Sequence, residues 1–217
     1  MKKNIYIIGA GGFGREVQWL IERINQAKPQ WTIEGYVDDN VKGDINDYPV
    51  VGTLEDFQKM CAELSEKVAV VCAIANTRIR ERVINNLRDV ENIYFPNLID
   101  PSVIMSDRIK IGEGNTICAG SVVSVDIHMG NFNIIDWDCT IGHDVVTGDY
   151  VTLYPSVNIS GAVTLGQGAE IGTGAHVIQG LSIGDSSIIG AGSVVIRDIP
   201  ANCTAVGNPC RVIREYD

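Results

Sequence analysis

The sequence predicts an α/β N-terminal domain, in effect half of a Rossmann fold, followed by a parallel β-helix built from six-residue repeats. Three observations carry this. An aliphatic residue recurs at every sixth position from Ile99 to Val195. Glycine follows many of those positions, at Gly112, Gly130, Gly142, Gly148, Gly166, Gly172, Gly184 and Gly190. Ahead of that region, strand-like apolar runs alternate with amphipathic helix-like runs, as in a parallel α/β sheet.

The six-residue beat passes through Ile99, Met105, Ile111, Ile117, Val123, Met129, Ile135, Ile141, Thr147, Leu153, Ile159, Leu165, Ile171, Val177, Ile183, Ile189 and Val195. Sixteen of these seventeen residues are apolar and no insertion breaks the count. A helix repeats at 3.6 residues and a simple strand at 2, so neither produces this beat. A parallel β-helix does: three short strands close one triangular coil of eighteen residues, and each face contributes one inward side chain. Coils then stack at the spacing of hydrogen-bonded strands, ~4.8 Å. The glycines are expected to serve the turns. Small or branched residues two places before the inward position (Val145, Val151, Val157, Val163, Ala169, Ala175) suit crowded corners.

The N-terminal elements follow in order. Asn4–Ile8 reads as a buried strand, and a helix with Val17, Leu20, Ile21 and Ile24 on one face runs to about Asn25. Thr32–Val37 is a second strand, Leu54–Leu64 a helix, Val68–Ala73 a central strand, Thr77–Leu87 a helix, and Tyr94–Leu98 a last strand. The expected domains are therefore residues 1–97, the Rossmann-like half, and 98–217, β-helix with a closing segment in which Pro200 and Pro209 mark turns.

The apolar run in MKKNIYIIGAGG is too short for a signal peptide or a membrane helix. The six cysteines form no C-x-x-C pair and lie within apolar patterns, which suggests buried free thiols in a reducing cytoplasm. A net charge of −10 argues against a nucleic-acid surface, because phosphate binding needs clustered Lys and Arg.

Gly9-x-Gly11-x-x-Gly14, between a strand and a helix, is a phosphate-cradling arrangement. Its glycines admit a backbone approach, and the helix N-terminus offers free N–H groups. Asp38, at the end of the next strand, is placed to bind a ribose or sugar hydroxyl. A dinucleotide site needs two such halves, and the chain has room for little more than one. A nucleotide-linked sugar fits better than a dinucleotide; a turn needed only for strand–helix packing is the other reading.

The three histidines are His128, His143 and His176. The 48 residues between His128 and His176 are not a multiple of eighteen, so these two lie on different faces and a three-histidine zinc site is not expected. His143 follows inward Ile141, and Gly161 lies eighteen residues on, beside it in the next coil. A histidine base next to a glycine N–H is the minimum kit for acyl transfer, one removing a proton and the other binding an oxyanion. Asp144 could orient the imidazole, provided a corner lets neighbouring side chains converge.

GAGGFGRE and VDD in a short α/β domain, hexapeptide repeats with GHDVVTGDYV, then GAGSVVIRDIP and VGNPCRVI together resemble the sialic acid O-acetyltransferase and bacillosamine N-acetyltransferase family. The resemblance spans essentially the whole chain. It implies a left-handed β-helix and a homotrimer with active sites between subunits. It also implies acetyl-CoA as donor and a nucleotide-activated amino sugar or sialic acid as acceptor in surface-glycan synthesis. His143 would be the base, Asp144 its acidic partner and Gly161 the donor to the thioester carbonyl. Gly9, Gly11, Gly12, Phe13, Gly14, Asp38, Asp39 and Asp136 would serve the acceptor. Thr152, Thr173, Gly174, Ala191 and Gly192 would line the acyl-CoA groove, with Arg197 and Arg211 on its phosphates. Three positions depart from the family pattern: Asp136 replaces Asn, Thr152 replaces a second histidine and Phe13 replaces a loop histidine. The missing second histidine also motivates a different reading, a binding or scaffolding protein with impaired catalysis.

Overall fold

The computed structural model describes residues 2–216, which fall into two units, one ending at Pro101 and the other beginning at Ser102. The first comprises β1 (Lys3–Ile8), α1 (Gly12–Ala27), β2 (Trp31–Val37), β3 (Asp44–Ile45), β4 (Tyr48–Gly52), α2 (Leu54–Ala62), β5 (Val68–Cys72), α3 (Thr77–Leu87) and β6 (Ile93–Tyr94). The strands lie in the order β3-β4-β2-β1-β5-β6, parallel except for the β3–β4 pair. Val17, Leu20, Ile21 and Ile24 of α1 are buried in one cluster with Ile5, Ile7, Ile33, Tyr36 and Val71 from the central strands. Burying each such side chain contributes about 1.5–3 kcal/mol.

Two features of this unit differ from the sequence expectation. The β3–β4 hairpin turns at Asn46 and Asp47, with φ of 47° and 70°. Positive φ at both central residues is the hairpin turn that follows the strand twist, here built from Asn-Asp rather than the commoner Asn-Gly. The expected strand Tyr94–Leu98 is only Ile93–Tyr94, with Leu98–Ile99 a separate short strand. Pro96 between them has no N–H to give a ladder.

In the second unit the hexads form the predicted coils. Every strand from Ile104–Met105 to Val194–Val195 pairs in parallel with one eighteen residues away. Three faces result. Outward on the first stand Thr116, Ile134, Thr152, Glu170 and Ile188. The second presents Ile104, Val122, Thr140, Asn158, His176 and Val194. On the third are Lys110, His128, Val146, Thr164 and Ser182. The inward residues from Ile117 to Val195 are all buried. Thr147, the one polar member, has its hydroxyl satisfied by Asn133 Nδ2 at 3.0 Å and Gly130 N at 3.2 Å.

The glycines after the inward positions do not make the turns. Left-handed backbone falls instead three residues after each inward residue from Ile111 to Ile189, and many of those positions are not glycine: Asp126, Phe132, Asp138, Asp144, Tyr150, Ser156, Ala162 and Ser186. Each costs about 1–2 kcal/mol in isolation. The stack holds them there, because each corner N–H bonds to the preceding coil, as Asp144 N does to Val125 O at 3.1 Å and Ala162 N to His143 O at 2.8 Å. Glycine is needed after the inward residue because coils approach closely there: a Cβ on Gly148 would lie 2.7 Å from Gln167 N. Beyond Val195 the register shortens and Ile188 pairs with Thr204. Arg211–Glu215 then folds back antiparallel on Cys203–Val206, which ends the parallel stack with a hairpin.

All six cysteines are free and buried. Burial pushes the Cys61 thiol up to about 11 and those of Cys72 and Cys139 to about 12. Since the thiolate is the reactive form, a thiol reagent at pH 8 should label none of the six in the folded protein within minutes and all six in denaturant.

Candidate active site

The second face runs into the third through a corner whose successive coils carry Val125, His143, Gly161, Gln179 and Arg197. At this corner the chain must turn, and Asp144 does so with φ 59°. That turn lets two adjacent side chains meet: His143 Nδ1 lies 2.8 Å from Asp144 Oδ2. An ionised Asp144 keeps the proton on Nδ1 and leaves the Nε2 lone pair to act as a base. The histidine side chain is half exposed, open to a reactant.

Gly161 allows the imidazole to lie flat against the next coil. A Cβ there would stand 2.4 Å from His143 Nε2 and 2.5 Å from Cε1. At the corner after the third face, the equivalent N–H groups are capped by the next coil: Asn131 Oδ1 accepts from Glu113 N, Asp149 Oδ1 from Asn131 N, and Asp185 Oδ1 from Gln167 N. Among the described residues no group accepts from Gly161 N–H. A base and an uncommitted donor thus share one ledge.

The other expected donor-side residues are placed elsewhere. Thr173, Gly174, Ala191 and Gly192 stack at the corner after the first face, below Trp137 and Pro155; Gly192 N donates to Thr173 O at 2.8 Å and Gly174 N to Pro155 O at 2.9 Å. Nothing lies within 4 Å of where a Cβ would stand on Gly174 or Gly192, so backbone lines an open strip. Asp136 adjoins this corner, with Oδ1 accepting from Trp137 N at 2.8 Å. Thr152 is buried in the outward row of the first face, between Ile134 and Glu170. That face lies opposite His143 in the triangular section, so one chain does not bring Thr152, Asp136 or the glycine strip to His143. Arg197 is exposed on the His143 corner, three coils or about 14 Å along. Arg211 begins the terminal strand, donating to Cys210 O. His128 and His176 stand on the third and second faces, as the spacing required. Ile178 and Ile196, both exposed beside the His143 row, were not singled out from sequence; their signal is an apolar residue at a position otherwise taken by Gly142 and Ser160.

In the first unit the glycine loop divides by role. Gly9 has φ +102°, and a Cβ on Gly14 would lie 2.1 Å from Gly9 O, so these two serve the turn and the strand–helix contact. Gly11 and Gly12 have nothing within 4 Å, and α1 begins there with no side-chain cap on its N–H groups. Asp38 braces the loop: Oδ2 accepts from Ala10 N, and Oδ1 from Asn40 N and Val41 N. Asp39 accepts from Leu54 N at the start of α2. An open pocket outside the carboxyl ends of β1, β2 and β5 is lined by Gly9, Asp38, Asn40, Ile74, Ile79 and Arg82, the place where open α/β sheets take ligands. Buried Arg80 holds its rim by donating to Ile74 O and Ala75 O at 2.8 Å. Phe13 packs against the unit's core. Arg82 and Arg80 were missed in the sequence because nothing in the α3 pattern separates a rim arginine from a solvated one.

Hexad coils with a histidine and a glycine on one corner, in a chain that also carries a half-Rossmann unit, match the hexapeptide class of acetyltransferases. Residues 4–87 match the model of the PglD N-terminal domain. The acetyltransferase domain of PglB from Neisseria gonorrhoeae, solved with acetyl coenzyme A, is 29% identical with a TM-score of 0.88 over 98% of this chain and all of that one. A mutant of perosamine N-acetyltransferase from Caulobacter crescentus, solved with CoA and GDP-perosamine, is 31% identical with a TM-score of 0.89 over 98% and 97% of the two chains. WeeI from Acinetobacter baumannii is 31% identical with a TM-score of 0.83 over 98% of this chain and all of that one. Among curated proteins, the uncharacterized protein L142 of Acanthamoeba polyphaga mimivirus is 29% identical over 134 residues, and the match spans about a quarter (24%) of its length. The chain belongs to the bacillosamine and sugar N-acetyltransferase family, and its β-helix is the left-handed one of that class. No described helix is long and apolar enough to cross a membrane.

The two kinds of loop glycine are separable by stability. Gly14→Ala should lower the unfolding midpoint of the first unit, since overpacking against Gly9 O costs about 1–3 kcal/mol. Gly11→Ser, which enters open space at the helix N-cap where Ser is at least as favourable as Gly, should not lower the midpoint in the same denaturant titration.

Proposed function

We propose that the protein transfers an acyl group, acetyl from acetyl-CoA, to an amine or hydroxyl of a nucleotide-linked amino sugar or sialic acid in cytoplasmic surface-glycan synthesis. The observation that carries this is the His143 imidazole, held by Asp144 and lying against Gly161 with its uncommitted N–H. The acceptor attacks the thioester carbonyl directly. His143 Nε2 takes the acceptor's proton, Asp144 steadies the imidazolium, and Gly161 N–H receives charge developing on the carbonyl oxygen. The relatives solved with acetyl coenzyme A, CoA and GDP-perosamine support this choice of reactants. In the first unit, Gly11, Gly12 and the start of α1 bind the sugar nucleotide's phosphates. Asp38 and Asp39 hold the loops that shape the adjoining pocket, and Arg82 contributes charge.

The donor groove needs a second copy. The strip at Thr173, Gly174, Ala191 and Gly192 and the residue Asp136 lie at a different corner from His143, with the second face between them. That face exposes Ile104 and Val122. Three copies turning it toward a common axis would bring one chain's His143 corner to the next chain's glycine strip. Ile178 and Ile196 would wall the pantetheine, with Arg197 and Arg211 toward the phosphates. We therefore expect a closed homotrimer, and light scattering at micromolar concentration should return three chain masses.

The alternative, a binding or scaffolding protein, draws on Thr152, which is buried where relatives by resemblance carry a second histidine. A panel of sugar nucleotides with acetyl-CoA, followed by thiol release, separates the two: the enzyme gives sugar-dependent release and the scaffold gives none. General-base catalysis contributes about 10²–10⁴-fold, so His143→Ala should lower turnover by that order while remaining folded and trimeric. Asp144→Asn should cost less, because it disturbs only orientation and charge.

A further inference from the structure

The corner that carries His143 also carries a charge ladder reaching two coils back. Asp126 stands eighteen residues before Asp144 and shares its left-handed backbone, with φ of 58° and 59°. The coils are joined there by Asp144 N to Val125 O at 3.1 Å and Asp126 N to Arg108 O at 2.9 Å. Arg108 grips Asp126 with both arms of its guanidinium: Nε donates to Oδ1 at 3.0 Å and Nη2 to Oδ2. The Asp126 hydrogen bond, then the Asp126 charge and last the Asp144 charge, favour the charged guanidinium against its desolvation.

We infer that Arg108 is a positioning residue for the His143–Asp144 pair: it neutralises Asp126 through a two-armed contact, so that Asp144 alone sets the charge and orientation of the imidazole. This rests on the reading of His143 as the base. Without Arg108, two stacked carboxylates would stand on the ring's corner and favour the imidazolium, so that a smaller share of His143 is free to act as the base. Were Asp126 absent instead, the released guanidinium would draw the Asp144 carboxylate away from Nδ1. One further carboxylate stands on this corner: Asp107, in the row of His143 two coils back and lining one hollow with Arg108, Asp126 and His128, is the same in every variant. Gly161 and Ala162 in the next coil are uncharged, as are Thr140 and Val146 on the flanking strands. On the third face, His128 stands beside Val146 and Lys110 one coil farther back. Both remain in every variant.

The test compares wild type, Arg108→Gln, Asp126→Asn and the double variant, each read twice: by the NMR titration of the His143 ring and by the pH dependence of thiol release. A chain with three histidines makes the ring assignment direct through His143→Ala. In Arg108→Gln the His143 midpoint and the acidic limb of turnover should both move up by about 0.3–0.5 pH unit, the scale of an exposed charge pair at low salt. Asp126→Asn should move the midpoint down and lower kcat two- to fivefold, with KM for both substrates unchanged. The double variant should return both readouts to wild type, and 0.5 M salt should shrink every shift. A His143 midpoint unmoved in Arg108→Gln, or a double variant no closer to wild type than the single one, overturns the ladder. A ring midpoint that moves while the turnover limb stays fixed upholds the ladder and rejects His143 as the base.

Discussion

The coil-to-coil stack is the constraint on which the second unit depends. A hexad strand of two or three residues is too short to stand alone. Its left-handed corners are unfavourable for Asp, Tyr, Phe and Ser, and its inward side chains bury only against coils above and below. Corner N–H groups bonded across the eighteen-residue step make the unfavourable turns cheaper than their alternatives. The candidate site comes from the same register. Because residues eighteen apart must lie side by side, a histidine and a glycine at that spacing meet without any further device. The corner conformation that ends the strand also turns Asp144 onto Nδ1.

Period and chemistry were therefore legible together. The inward row, the three faces, the His143–Gly161 contact and the separation of His128 from His176 all follow from counting in sixes and eighteens. What the count could not reveal was which residues actually turn. Glycine invites the assumption of a turn, yet Gly142 and Gly148 are small because the next coil presses on them, and the turning residues are Asp144 and Tyr150. Composition reports a steric need without saying whether the need is a dihedral or a distance. The β3–β4 hairpin escaped for a related reason: Asn46-Asp47 supplies positive φ through side-chain hydrogen-bonding capacity, and no glycine marks it. Thr152 shows the limit of reading by position alone. The count from His143 places it on the next strand but one, while its face and burial emerge only when the triangle closes.

Charge is arranged locally rather than globally. The chain carries 27 acidic against 17 basic side chains, an unfavourable background for anionic reactants. The glycine loop counters this with α1's uncapped N–H groups, which concentrate positive potential within a turn of Gly11. Asp38 lies beside that loop, but its oxygens accept from Ala10, Asn40 and Val41. Its charge is thereby partly offset by backbone donors, which would make an acidic residue compatible with the phosphate proposed there.

A triangular prism has a further consequence for a two-substrate reaction. Its corners point away from one another, so one prism can offer a base at one corner and a backbone strip at another, but never both to the same molecule. A deep pocket would require an insertion that breaks the hexads, and residues 99–195 contain none. The proposed association of copies about a common axis would solve the problem without disturbing the stack, since the register that aligns His143 with Gly161 also sets the height of Thr173 and Ala191 in every copy. The same rigidity constrains the outward side chains least: the repeat leaves their identity free, whereas His143 and Gly161 are fixed by the contact between two successive coils.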